Sequence, residues 1–223
     1  MREEFAPPAV LSFSVYFAFY LKILVNLSRG ENMHLVLIRH GEPDYSFTEG
    51  KGFKGPAREL APLSKLGVEQ AERVALDPRL EGSQLIISSP YTRALQTGAI
   101  ISRVTGLKIE IAFDLYEWLI DTTYENKNQA DTMAAIKEIS AFKGVRSPDA
   151  KLHWEGYDQV AERAYAALRP YLHYDKVIVA CHAYVIKQFY NPGRINHCDI
   201  IEVDFDENFT WPGYIERGSR SWY

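Results

Sequence analysis

Two cysteines, Cys181 and Cys198, stand in a chain of 223 residues. Two cannot build a disulfide framework, and neither has a CxxC partner, so a cysteine-based zinc site is excluded too. Positive charge is also scarce. The 25 Lys and Arg residues face 29 Asp and Glu, a net charge of −4, with no basic stripe to hold a polyanion. No nucleic-acid partner is expected. There is no internal repeat and no low-complexity tract. Free thiols fit a reducing compartment, so the expected location is the cytoplasm.

Long apolar runs are nearly absent. Phe5 to Tyr20 is apolar apart from Ser12 and Ser14, and Pro7-Pro8 interrupts its start. A spanning helix needs ~20 consecutive apolar residues, so this stretch falls short. Glu3 and Glu4 outweigh Arg2 and no Ala-x-Ala follows, which argues against a secretory leader. Residues 1–32 then read as an extension docked on the fold, as a weak membrane anchor over residues 5–27, or as translated sequence ahead of a start at Met33. The last is preferred, because organised sequence begins at Met33. A membrane is a partner only if residues 5–27 form that anchor.

What is present fits a single domain over residues 33–223. The chain is 47% hydrophobic and 24% charged, ordinary values for a packed protein. His34 to Arg39, Gln84 to Ser88 and Lys176 to Cys181 are short apolar runs that read as buried strands. Lys108 to Ala112 and Ile200 to Phe205 are two further strand candidates. Between them lie helical stretches. Ser64 to Leu76 can be capped by Ser64, with Leu66, Ala71, Val74 and Ala75 on one face. Tyr91 to Val104 stops at Gly106, with Ala94, Leu95, Ala99 and Ile101 available for the core. Asp131 to Phe142 and Tyr157 to Leu172 are helical as well. Strands alternating with helices predict an α/β fold, a three-layer sandwich with a mostly parallel sheet between helices.

Such sheets bind ligands beyond the carboxyl ends of their strands. Past three strand candidates lie Arg39-His40-Gly41, Ser88-Ser89-Pro90 with Arg93, and Cys181-His182. A phosphate ester needs a nucleophile, cations for its oxygens and an acid for the leaving group. His40 can attack, being mostly neutral near pH 7. Arg39 and Arg93 can fork onto phosphate oxygens, and His182 can donate another hydrogen bond. Gly41 can let the backbone come close to a ligand. Glu117, beside Trp118, is the first choice of acid, and Glu42 the second. No cofactor or metal is expected, because the acidic residues do not cluster as a ligand set. A cysteine nucleophile is excluded by spacing: six residues past Cys181 and Cys198, where such enzymes carry arginine, stand Lys187 and Asp204.

At these residues the chain resembles the histidine phosphatase superfamily, the phosphoglycerate mutase-like group. The resemblance begins at Leu35-Val36-Leu37-Ile38-Arg39-His40-Gly41-Glu42 and continues through Leu63-Ser64-Lys65-Leu66-Gly67. Ser88-Ser89-Pro90-Tyr91-Thr92-Arg93-Ala94-Leu95-Gln96-Thr97 is similar to the second signature, and Leu115-Tyr116-Glu117 to the acid-bearing segment. Val177 to His182 is similar to the strand that carries the second histidine. The resemblance implies His40 as the phosphorylated residue, Arg39, Arg93 and His182 as the phosphate pocket, and Glu117 as the acid.

Two departures favour a phosphatase over a mutase. The asparagine that many members carry after Arg-His-Gly is missing, with Ser46 roughly at its place, and Glu117-Trp118-Leu119 replaces the mutase-type acid segment. The expected function is metal-independent hydrolysis of small phosphate monoesters through a phosphohistidine. A mutase-type phosphotransferase and a silent phosphate- or phosphopeptide-binding module are the alternatives. Residues 120–155 are expected to form a lid-like wall over the pocket. Tyr124, Lys127, Lys151, His153 and Trp154 there either read the rest of the substrate or are surface. The tail from Asn208, with Trp211, Tyr214, Arg217, Arg220, Trp222 and Tyr223, is expected to pack on the surface. A homodimer is left open.

Overall fold

A computed structural model describes residues 32–53, 55–125 and 129–214. Nearly all of the N-terminal extension, Lys127, and the tail residues Arg217, Arg220, Trp222 and Tyr223 lie outside the described residues. Five strands form one sheet: β1 (Met33–Arg39), β2 (Leu85–Ser88), β3 (Ile109–Ile111), β4 (Lys176–Cys181) and β5 (Ile200–Phe205). Their order is β3-β2-β4-β1-β5. The first four run parallel, and β5 pairs antiparallel with β1. The helices are α1 (Ser46–Gly50), α2 (Lys65–Val74), α3 (Thr92–Thr105), α4 (Gln129–Ala141), α5 (Tyr157–Leu168) and α6 (Ala183–Ile186). This is the predicted α/β sandwich with a mostly parallel sheet.

The continuous apolar runs are explained by burial on both faces of the sheet. Leu35, Leu37, Leu85, Ile87, Val177 and Val179 point to one side, where they meet Ala135, Ile139, Trp154, Val160 and Ala164. Val36, Ile38, Ile86 and Ile178 point to the other, against Val74, Leu80 and Ile101. Period-two alternation thus divides each strand between two cores.

Helix faces are harder to read than strands. Leu66, expected inside, is 44% exposed, and the buried face of α2 is Gly67, Ala71 and Val74. In α3 the expected Ala99 is exposed and Leu95 half-buried, whereas Arg93, Thr97 and Gly98 are buried with Ala94 and Ile101. With Arg93 and Thr97 turned inward, α3 buries a polar stripe that an apolar count misses. Met133 is 51% exposed, while Ala135 and Ile139 of α4 are buried. Trp154 is not a surface reader of substrate. It is 1% exposed, packs in the core and donates its Nε1–H to Glu138 at 2.8 Å. The described part of the tail packs as expected: Trp211 Nε1 donates to Gln188 at 2.8 Å, and Tyr214 stacks on Tyr157. Among the described residues no helix is long and apolar enough to cross a membrane.

At the sheet end where β1 begins, His34 has Asp204 at 2.8 Å from Nδ1 and Glu202 at 3.1 Å from Nε2. The bond to Asp204 chiefly, with help from Glu202, raises its pKa above the ordinary 6.5 against the pull of partial burial. A raised folded-state pKa adds stability below the unfolded value, and that stability is lost as pH rises through the folded one. The stability difference between wild type and His34→Gln should therefore be larger at about pH 5.5 than at about pH 8.5. Thermal melts at the two pH values check this, and an equal difference at both would count against the imidazolium latch.

Candidate active site

Parallel pairing brings the predicted residues together. Arg39 lies beside Cys181 and Ser88 beside Ala180, so β1, β2 and β4 end side by side. The next residues stay in step: His40 N donates to Cys181 O at 3.0 Å, and Ser89 N to Ala180 O at 2.9 Å. His40, Ser89 and His182 are consequently neighbours. The rings of His40 and His182 meet edge to face, with centroids 5.1 Å apart.

His40 is 4% exposed. Its Nδ1 lies 2.7 Å from the Gly41 carbonyl, which can only accept, so the proton sits on Nδ1. Nε2 keeps its lone pair, toward which Arg93 Nε donates at 3.1 Å. Burial first, then the charge of Arg93, pushes the His40 pKa well below 6.5. The imidazole is therefore neutral across the physiological range. Burial and Arg93 do the same to His182, which is fully buried.

Ser89 Oγ accepts from Tyr91 N at 3.3 Å and lies 2.8 Å from His182 Nε2. The hydroxyl has one proton and a second lone pair; where it donates to Nε2, the imidazole proton sits on Nδ1. That Nδ1 and Arg39 Nε are both buried without a hydrogen-bond partner. With Nδ1 protonated, two such donors beside His40 suit an oxyanion.

Arg93 is 3% exposed and pairs through NH1 with Glu59 at 2.5 Å. Glu59, on the 3₁₀ segment Gly55–Leu60, has no sequence signal: one acid in a polar loop carries no periodicity. Arg39 anchors the opposite side, donating to Ile195 O at 2.6 Å. Glu117 accepts from Trp118 N at 2.9 Å and Tyr184 N at 3.3 Å. Burial raises its pKa, against the Trp118 bond and the pull of Arg93 and Arg39. A carboxyl held toward its protonated form beside two arginines is suited to donate a proton.

Other expectations change. Glu42, the second choice of acid, is committed to the loop: its carboxylate accepts from Ser64 Oγ at 2.8 Å. Ser46 is exposed and bound to Asp44. Its neighbour Tyr45 is the one within electrostatic reach of Arg39, Arg93 and Glu117. Gly41 has a different reason from the one expected: a Cβ there would stand 2.4 Å from the Gly67 carbonyl, so the close approach is to α2. His197 also lies by the site, its ring 5.6 Å from His40, with burial and then Arg39 lowering its pKa to about 4. It precedes β5 and stands 157 positions after His40, so the antiparallel return of β5 beside β1 brings it here. Within residues 120–155, Lys151 and His153 are exposed, with His153 beside Arg146, and Tyr124 is 48% exposed. The residues at the three strand ends therefore come together, and Tyr124 stands within electrostatic reach of Tyr91, whose ring packs against His182.

Comparison with known proteins places these features in context. A model of the histidine phosphatase superfamily, branch 1, matches residues 35–192. Among solved structures, the chain is similar to mycobacterial glucosyl-3-phosphoglycerate phosphatase at 21% identity, over 78% of this chain and 90% of that one, with a TM-score of 0.59. It is similar to a putative alpha-ribazole-5'-P phosphatase from Escherichia coli at 23% identity, over 83% and 97%, with a TM-score of 0.57. Bacillus stearothermophilus YhfR is similar at 20% identity, over 82% and 96%, with a TM-score of 0.60. A search of curated proteins returns no match.

Proposed function

The chain belongs to the histidine phosphatase superfamily, and from that premise we propose that it hydrolyses small phosphate monoesters through a phosphohistidine on His40, without a metal. The observation that carries this reading is His40 itself. It is neutral, protonated at Nδ1 by its bond to Gly41, and has its Nε2 lone pair beside Arg93. In-line attack by Nε2 on phosphorus forms the N–P bond as the ester P–O bond breaks. Arg39, Arg93 and His182 Nδ1–H hold the phosphoryl oxygens. Glu117 gives its proton to the leaving oxygen. Its carboxylate then takes a proton from the water that attacks phosphorus, which releases phosphate and restores His40.

The chain supplies the nucleophile, the charge and the proton from its own side chains. Among the described residues no group of three or more His, Cys, Asp or Glu is placed to hold a metal ion. Two of the structural neighbours are named as phosphatases, which agrees with hydrolysis and leaves their substrates with them. The test is a rapid quench during turnover of an aryl phosphate. It should trap an acid-labile, alkali-stable phosphoenzyme; turnover without one would overturn the covalent route. No turnover at all would favour a binding module.

The pH profile tests the acid. Glu117 must enter the reaction protonated, so kcat/KM for an alkyl phosphate should fall as pH rises through its raised pKa. On the acid side, neutral His40 should sustain the rate to well below pH 6.5. Glu117→Gln should lower the alkyl rate by about 10²-fold or more and abolish the alkaline limb. Titration of the substrate phosphate is common to both proteins and drops out of the comparison. An alkaline limb that survives in Glu117→Gln would assign the proton to another group.

A further inference from the structure

The segment that carries Glu117 is irregular and bridges the short 3₁₀ turn Phe113–Leu115 and the wall. Its backbone has no sheet or helix to hold it. Arg163, on α5, takes up its carbonyls instead. The guanidinium donates from NH1 to Asp114 O at 2.5 Å and Tyr116 O at 2.8 Å, and from NH2 to Glu117 O at 3.4 Å. It also lies over the Tyr116 ring, 3.6 Å from its centroid. The same guanidinium meets Glu155 through Nε at 2.6 Å and NH2 at 3.0 Å.

Glu155 holds the other side of the segment. Its Oε2 accepts from Leu119 N at 3.0 Å, and its carbonyl accepts from the Trp118 indole at 2.7 Å. Backbone N of Glu155 donates to Leu119 O at 2.9 Å. The Arg163 and Glu155 side chains are 11% and 8% exposed. Each charge is thus buried against the other, and together they span the backbone on both sides of Glu117.

We propose that the Arg163–Glu155 pair is a positioning clamp for the general acid: it sets where the Glu117 carboxyl stands relative to the leaving oxygen and keeps that carboxyl out of water. This rests on the reading of Glu117 as the acid. Neither residue touches the phosphate, so both act through Glu117. Lysine cannot replace this arginine, because one ammonium cannot reach Glu155 and three carbonyls in a fixed plane. Proton transfer depends steeply on placement, and an error of about 1 Å can cost about 10²-fold.

Leaving-group dependence reads this out. A nitrophenolate departs without a proton, whereas an alkoxide needs one. With the full chain, kcat/KM is measured for an alkyl phosphate and for p-nitrophenyl phosphate. Glu117→Gln should depress the alkyl-to-aryl ratio. Arg163→Lys should depress it in the same direction by about tenfold or more, the aryl rate falling far less. It should also move the alkaline limb to lower pH, as water reaches a loosened Glu117. Glu155→Gln keeps an oxygen for the Leu119 N–H, loses the charge and should give the same split; it serves if the lysine variant does not fold. In a Glu117→Gln background, Arg163→Lys should leave the ratio where it is. Equal loss on both esters, or a further fall in ratio in that background, would overturn the clamp. A normal ratio in Glu117→Gln alone would instead overturn the assignment of the acid.

Discussion

His40→Ala should abolish hydrolysis of p-nitrophenyl phosphate, with kcat down on the order of 10⁴-fold or more, the scale of removing a covalent nucleophile. The same assay on wild type after exhaustive EDTA treatment should give an unchanged rate. The first half follows from the tautomer. Gly41 fixes the proton on Nδ1, so the reactive lone pair is on Nε2, and alanine removes it outright. The second follows from charge supply: in the proposed reaction Arg39, Arg93 and His182 hold the phosphoryl oxygens, with no metal required. The phosphate pocket should outlast the nucleophile, so His40→Ala should still bind inorganic phosphate, measured calorimetrically. An active His40→Ala protein, or activity lost on chelation and regained with a divalent ion, would refute the covalent mechanism.

Gly67→Ala should destabilise the fold by about 3 kcal/mol and lower activity with it, although alanine is the better helix former by about 1 kcal/mol. Gly67 lies in α2, and a Cβ there would stand 2.1 Å from the Glu42 carbonyl. Gly41 faces it, 2.4 Å from the Gly67 carbonyl by the same measure. Both clashes are with backbone, so relief requires moving the loop that carries His40. Overpacking therefore outweighs helix propensity. Gly98→Ala in α3 is the control: its Cβ would meet the Ile109 Cδ1 at 2.9 Å, the movable end of a side chain. It should cost clearly less. Denaturant unfolding of the two variants checks the order, and equal stabilities would show that the α2 contact yields more easily than its geometry implies.

The contrast between strands and helices explains what could be read in advance. Strands β1 and β4 were legible because burial on both faces demands unbroken apolar residues, and β4 occurs at its predicted limits. Ser64 was legible as a cap because its job is local: its Oγ accepts from Gly67 N at 3.0 Å. Leu66 and Ala99 misled because a helix face is decided by what packs against it. Trp154 misled for a related reason, since an indole in a polar stretch shows no pattern that separates core from pocket.

The sequence by itself determined the parallel α/β order and the motifs at the strand ends, hence the identity of His40, Arg39, Arg93, Glu117 and His182 as site candidates. Those signals are local, carried by residues within a few positions of each other. The tertiary structure alone decided which nitrogen of His40 carries the lone pair, that Glu59 pairs with Arg93 and that Tyr45 rather than Ser46 bears on the cations. It also decided that Gly41 exists for Gly67, and that Arg163 and Glu155 grip the Glu117 segment. Each of these depends on two groups brought together across the fold, such as Arg163 and Asp114, 49 positions apart. Hydrogen bonds and burial act through space, and a linear pattern holds no record of which distant partners the chain will bring into contact.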